Sequence, residues 1–306
     1  VGVSTSATAR HPSDRQRAVR DRTRRRLTRR KAVNGLMLGV VALCVVLVLV
    51  PLALILAHLL RTGAGALDGA FFTHMPAPVG ERGGGMANAI VGTLILVGVA
   101  AVVGVPVGVG AGVYVAERRG TWLANTVRFL SDVLNGLPSI VMGIFAWQFL
   151  VRPVGHFSAL SGGVALGAMM IPMVARTTEE MVRTVPVSLR EAALALGYPR
   201  WRTALVVVLR TASAGIVTGA LVALARVAGE TAPLLFTAFG NQFWSTNVTQ
   251  PIAALPLQIF NYAISPYDDW HRLAWAGALV LIAIILVLSV IARAATRNRF
   301  DASAGS

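Results

Sequence analysis

Six apolar stretches, at about residues 36–60, 88–115, 129–150, 160–178, 212–237 and 273–292, constrain this chain more than any other feature. Each is close to the ~20 residues that a helix needs to cross the hydrocarbon core of a bilayer. The prolines and glycines inside them do not break the pattern, because neighbouring helices satisfy the backbone groups they free. The expectation is an all-α integral membrane protein with six transmembrane helices. Composition agrees: 55% of the 306 residues are hydrophobic and 13% charged, too apolar for a soluble domain of this length.

The basic residues orient the spans. With both termini placed in the cytoplasm, 23 of the 28 Lys and Arg residues fall on the inner side and four (Arg61, Arg82, Arg152 and Arg272) fall outside. Such a bias settles orientation under the positive-inside rule. It also accounts for the net charge of +15 without nucleic acid. Eleven of the inner residues lie between Arg10 and Lys31, in a polar tail covering 1–34. Such a run is a solvated tail or rests on anionic lipid headgroups, and no aromatic residues interleave it as a nucleic-acid surface would favour. Its basic part, and the apolar run after it, are both too long for a signal peptide. The expected organisation is therefore the tail at 1–34, a six-helix transmembrane domain at 35–297 and a short C-terminal tail at 298–306.

Several chemistries are excluded. Cys44 is the single cysteine, so neither an internal disulfide nor a multi-cysteine metal site forms. Lys31 is the single lysine and lies in no GxxxxGK[ST] sequence, so the chain carries no Walker-type site for ATP. No catalytic triad or metal cluster marks it as an enzyme, and no cofactor is expected.

Between the fourth and fifth spans lies PVSLREAALALGYPRWRTALVVVLR, residues 186–210. Pro186 suits a helix start, Leu189 to Leu196 are mostly strong helix formers, and Gly197 suits a left-handed end. Pro199 begins a second arm. The segment predicts a cytoplasmic helix–turn–helix hairpin with Ala192 and Ala193 on its first arm, small enough to let another protein approach. Two readings fit that spacing, a docking knob and an ordinary amphipathic loop.

Within the spans, Gly104, Gly108 and Gly112 recur every four residues and share a helix face suited to close packing. Pro106 is expected to bend that helix. In the third span, Asn135 and Ser139 flank Pro138, predicting a kink that either lines a polar cavity or serves packing alone. The fifth span holds ionisable groups at depth. Counting from Thr211 at ~1.5 Å per residue, Arg226 lies roughly 22 Å into the bilayer. Glu230, at i+4, is expected on the same face, with Thr231 beside it and Pro233 bending the outer end. Charges so deep line a pathway or form a self-satisfied pair that locks helices; the first reading is preferred. There Arg226 meets an oxyanion with its planar fork, and Glu230 holds the arginine in place. Residues 239–272 mix aromatics with polar turns and predict an external interfacial helix or docking surface.

Glu191-Ala192-Ala193, three residues and then Gly197 resembles the EAA loop of ABC importer permeases. That family's pattern continues with Ile-x-Leu-Pro, where this chain has Val207, Leu209 and Arg210; Arg210 in place of proline departs from it at the return to the membrane. GIVTGALVALARVAGETAPLLFTAFGN, LNGLPSIVMGIF and LPLQIFNYAISP resemble the PstA-type permeases of bacterial phosphate importers, over roughly residues 35–297. The resemblance implies a type I ABC importer permease (MetI-like) fold in the bacterial inner membrane. It implies a PstC-type permease as partner, a PstB-type ATPase dimer that uses ATP and Mg and receives Glu191, Ala192, Ala193 and Gly197, and a PstS-type protein delivering inorganic phosphate. Two alternatives stand beside it: a permease for sulfate or molybdate, and a membrane scaffold or sensor acting through the basic tail.

Overall fold

The computed structural model describes the backbone of residues 12–304 except 79, 80 and 82, and the side chains of 30–290 except those three and residue 32. Most of the basic tail's side chains therefore lie outside the described residues. Two units are distinguished, residues 1–58 and 59–306. The first holds most of helix α1 (Pro12–Ala64), which runs without a break through the expected boundary at residue 34. The second holds everything that follows.

In the second unit the frame is a pair of helices, α3 (Ala87–Glu117) and α6 (Ala159–Thr184). The four-residue glycine period of α3 is the reason they pack. A Cβ on Gly104 would lie 3.0 Å from the carbonyl oxygen of Gly167, one on Gly108 2.7 Å from Cβ of Val174, and one on Gly112 2.4 Å from the carbonyl oxygen of Ala175. A larger residue would force the neighbouring helix to shift, so the two backbones meet along a whole face as expected of small-residue contacts in lipid. The order of contacts, 104 to 167, 108 to 174 and 112 to 175, makes the pair parallel. α3 also runs as a continuous helix through Pro106. Around this frame Leu96, Leu166, Met170, Val174, Ala223, Val227 and Leu234 form a buried apolar core.

Because α3 and α6 are parallel, the chain between them must return across the bundle. It does so in two pieces, α4 (Trp122–Gly136) and α5 (Ser139–Ala146), the latter prolonged by a π-helical turn at Trp147–Val151. The two pieces meet at 109°. This corrects the expected kinked span at 129–150: the helix is broken outright. Leu137, preceding proline, is extended with ψ 136°, and Pro138 is extended with ψ 137°, so two successive residues leave the helical region. With this pair counted as one crossing, the described residues contain six candidate membrane crossings.

The fifth crossing also ends earlier than expected, at Ala228 rather than near residue 237. Arg200–Ala228 forms one helical run in which α8 (Arg200–Arg202) passes through π-helical Thr203–Val208 into α9 (Leu209–Ala228). Gly229 caps it, and the remaining residues form a separate short helix, α10 (Ala232–Thr237), with Pro233 in its first turn. The outer end is a break rather than a bend. Within 239–272, expected to give an interfacial helix or a docking surface, lies the short helix α11 (Leu255–Ala263), with Leu255, Leu257, Gln258 and Tyr262 buried, and α12 (Asp268–Ala304) holds the last candidate crossing. The segment before α11 is fixed tightly to α3. The hydroxyl of Thr93 accepts from the backbone N–H of Leu255 at 2.8 Å, and a Cβ on Gly92 would come within 2.0 Å of the carbonyl oxygen of Ala253.

Candidate functional site

The hairpin between α6 and α9 forms as its residue types dictate. Val185 and Pro186 are extended and end α6, and α7 (Val187–Ala195) follows, with Pro186 as its N-cap. Gly197 takes φ +83°. The Tyr198 N–H donates to the carbonyl of Ala193 at 3.1 Å and the Gly197 N–H to that of Leu194 at 3.0 Å. This is a Schellman closure, in which a left-handed residue satisfies the last carbonyls of the helix. The Arg202 guanidinium sits 4.8 Å from the centre of the Tyr198 ring, tying the second arm to the turn. Arg190 holds the whole knob in place. It pairs with Glu117 at the end of α3 and donates to the carbonyl of Val182 in α6 at 2.9 Å.

Of the small residues expected on the docking face, Ala192 is exposed but Ala193 is buried. Its small size serves the inner packing of the hairpin. The exposed face carries Glu191, Ala192 and Gly197, with Leu196 at 80% and Trp201 at 66% exposure. Bare leucine and tryptophan on a turn between two crossings are apolar surface that a partner covers more readily than water does.

The residues expected along a path are placed at the two breaks. Asn135 lies exposed near the end of α4 and Ser139 begins α5. Thr231 is the N-cap of α10. α5 and α10 pack directly: a Cβ on Gly143 would lie 2.8 Å from Cα of Pro233. The break after α4 and the break after α9 are thus joined through adjacent helices. Arg226 is exposed on the last turn of α9, and among the described residues no hydrogen bond or ion pair engages its side chain. Glu230 does not share its face, because the helix stops at Ala228 and the i+4 relation is lost. Among the described residues the two form no ion pair, so the expectation that Glu230 holds the arginine is not met. The signal for this break is in the sequence: Gly229 followed by proline at 233 is a stop pattern.

Sequence reasoning also passes over Glu179, a buried carboxylate on α6 that pairs with Arg128 of α4, 51 residues earlier. At the end of the bundle away from the hairpin, a cleft of about 730 Å³ is lined by Asn241, Gln242, Gln258, Asn261, Phe243 and Trp270, among others. Tyr262 at its base accepts from Gln258 Nε2 at 3.2 Å and stacks on Trp270 at 4.5 Å. Burial pushes the Tyr262 phenol above its usual range, partly offset by that hydrogen bond.

Residues 108–299 match the family of binding-protein-dependent transport system inner membrane components. The chain is 48% identical over 240 residues to the phosphate transport system permease protein PstA of Yersinia pestis, covering 78% of this chain and 81% of that one. It is 45% identical over 262 residues to the protein of the same name from Haemophilus influenzae, covering 85% and 92%. A probable phosphate transport system permease protein PstA of Methanocaldococcus jannaschii is 36% identical over 264 residues, covering 86% and 93%. Among solved structures, the MetNI methionine ABC transporter in an inward-facing conformation superposes with a TM-score of 0.54 at 19% identity, over 71% of this chain and 96% of that one. That likeness concerns the fold.

Proposed function

Because the chain belongs to the family of binding-protein-dependent transport system inner membrane components, we propose that it is a permease subunit of an ATP-driven phosphate importer in a bacterial inner membrane. The observation that carries this reading is the hairpin. It is a rigid, Schellman-closed knob with Glu191, Ala192 and Leu196 exposed, on a chain that has no phosphate loop of its own. A knob of that kind passes on force made by another polypeptide. The names of the relatives, phosphate transport system permease proteins, choose phosphate over sulfate or molybdate.

In this reading the complex includes an ATPase and an extracellular binding protein; the finer assignment is a PstB-type dimer, a PstS-type protein and a PstC-type second permease. ATP and Mg belong to the ATPase. Both termini face the cytoplasm, supported by the arginine bias and by an even number of crossings. Glu191, Ala192 and the turn at Gly197 dock on the ATPase, with Ala193 packing the knob from within. The Arg226 guanidinium, unengaged by other side chains, is free to offer its planar donors to an oxyanion. Asn135, Ser139 and Thr231, at the two breaks, supply neutral polar contacts along the same route, and Glu230 limits how tightly an anion is held. The experiment is uptake of labelled phosphate by energised membrane vesicles, with competing anions. Excess unlabelled phosphate abolishes the signal while sulfate and molybdate leave it intact. Competition by sulfate or molybdate as strong as that by phosphate overturns the substrate assignment.

A further inference from the structure

The buried charge of Glu179 has no place in a path or a docking face, and its surroundings give it another task. Its side chain is 4% exposed, on α6 about two turns before the hairpin. Oε1 accepts from Nη2 of Arg128 at 2.6 Å and from Nε of the same guanidinium at 3.2 Å. Arg183 donates to the same oxygen from the next turn. Nη1 of Arg176 lies 3.8 Å from Oε2, while Nε of Arg176 pairs with Glu180 at 3.3 Å. Two of the three arginines come from α6 itself. Arg128 alone reaches across from α4.

That reach matters because it is the one side-chain hydrogen bond or ion pair between α4 and α6 among the described residues. Among the described residues, α4 buries Ala124 alone, and Phe129, Leu130 and Val133 are exposed. In lipid the burial of apolar side chains does not drive helices together, so a polar contact across the pair carries weight in placing α4. A carboxylate that accepts two N–H groups of one guanidinium fixes distance and angle together, which a single contact does not. α4 is therefore a lever pinned to α6 near its cytoplasmic end.

The pin lies on a continuous line of contacts. The hairpin is bound to α3 and α6 through Arg190, Glu117 and the Val182 carbonyl. α6 holds α4 through Glu179. α4 turns through 109° into α5. α5 packs on Pro233 of α10, which leads back to the end of α9 and Arg226. Contiguity is not coupling, but along this line the Arg128–Glu179 pair is the one polar link between α4 and α6 among the described residues.

We infer that the Arg128–Glu179 ion pair is the joint that delivers hairpin movement to the broken crossing, so that Glu179 is a positioning residue for transport. Cutting it uncouples ATP hydrolysis from anion movement. The inference rests on the permease reading above, and the test separates the two. The whole complex, with both permeases, the ATPase and loaded binding protein, is reconstituted in liposomes, and phosphate imported per ATP hydrolysed is measured. For Glu179→Gln and Arg128→Gln that ratio falls by about tenfold, within the usual range of coupling between distant sites, while hydrolysis continues. Arg128→Lys, which keeps the charge and loses the fork, gives an intermediate ratio. A ratio unchanged from wild type, or import and hydrolysis falling in step, overturns the joint. If Glu179→Gln does not assemble, Arg128→Lys at the partly exposed side of the pair decides, and an unchanged ratio there is a refutation. A wild-type complex that hydrolyses ATP and imports no phosphate refutes the permease reading instead.

Discussion

Gly197→Val tests the hairpin at one atom's expense. Gly197 holds φ +83°, and a Cβ built there meets nothing within 4 Å. The added Cβ therefore meets no neighbour, and the cost it brings is conformational. An L-residue in the left-handed region loses roughly 1–2 kcal/mol, and a β-branched one more. The turn escapes that strain by unwinding, which gives up the Tyr198-to-Ala193 and Gly197-to-Leu194 hydrogen bonds, each worth about 1 kcal/mol net. The penalty is thus capped near ~2 kcal/mol, and at 1.4 kcal/mol per tenfold the intact turn loses roughly tenfold to thirtyfold in population. The assay is stimulation of ATP hydrolysis by loaded binding protein in the reconstituted complex, across Gly197, Asn, Ala and Val. Asparagine tolerates the left-handed region, so stimulation declines in the order Gly, Asn, Ala, Val. Full stimulation with valine refutes the knob. Equal loss with asparagine and valine shows instead that the exposed surface, rather than the turn, is what the partner reads.

Two further outcomes follow from the same structure. Gly112→Leu drives a side chain into a place where even Cβ lies 2.4 Å from the Ala175 carbonyl oxygen and 2.6 Å from Thr178 Cβ; overpacking of this kind costs about 1–3 kcal/mol, seen as a lowered Tm of the detergent-solubilised chain, and an unchanged Tm would mean that α3 and α6 do not meet as described. Arg226→Ala removes the unengaged guanidinium from the end of α9 and abolishes phosphate uptake in vesicles while the complex still assembles, whereas normal uptake would remove Arg226 from the path.

The parts of this fold that the sequence announces are those governed by local rules. Gly104, Gly108 and Gly112 define a face by their period alone, and that face is where α6 packs. Gly197 announces its turn because few other residues adopt φ +83° without strain. The break at Pro138 is legible as a disturbance, but its 109° angle is not, since the direction of α5 is set by Gly143 against Pro233, far away in the chain. Arg226 and Glu230 mislead for the opposite reason. Their spacing promises one helix face, and Gly229 ends the helix between them. Glu179 hides best: Arg176, Glu180 and Arg183 around it suggest a solvated charged helix end, and Arg128 enters only through tertiary packing. Ala193 shows the limit of reading residue size, since a small side chain suits close approach from inside a hairpin as well as from outside.

In the proposed complex, motion enters this chain through residues 186–210 from an ATPase carried on another polypeptide. ATP-dependent accumulation of phosphate in proteoliposomes, measured with the full complex and with the ATPase omitted, tests it most directly. Uptake is expected to require the ATPase, to stop with a non-hydrolysable nucleotide, and to be lost when the hairpin turn is replaced by a flexible linker in an otherwise assembled complex. Phosphate accumulation against its gradient by this chain and its membrane partner, with no ATPase present, would contradict it.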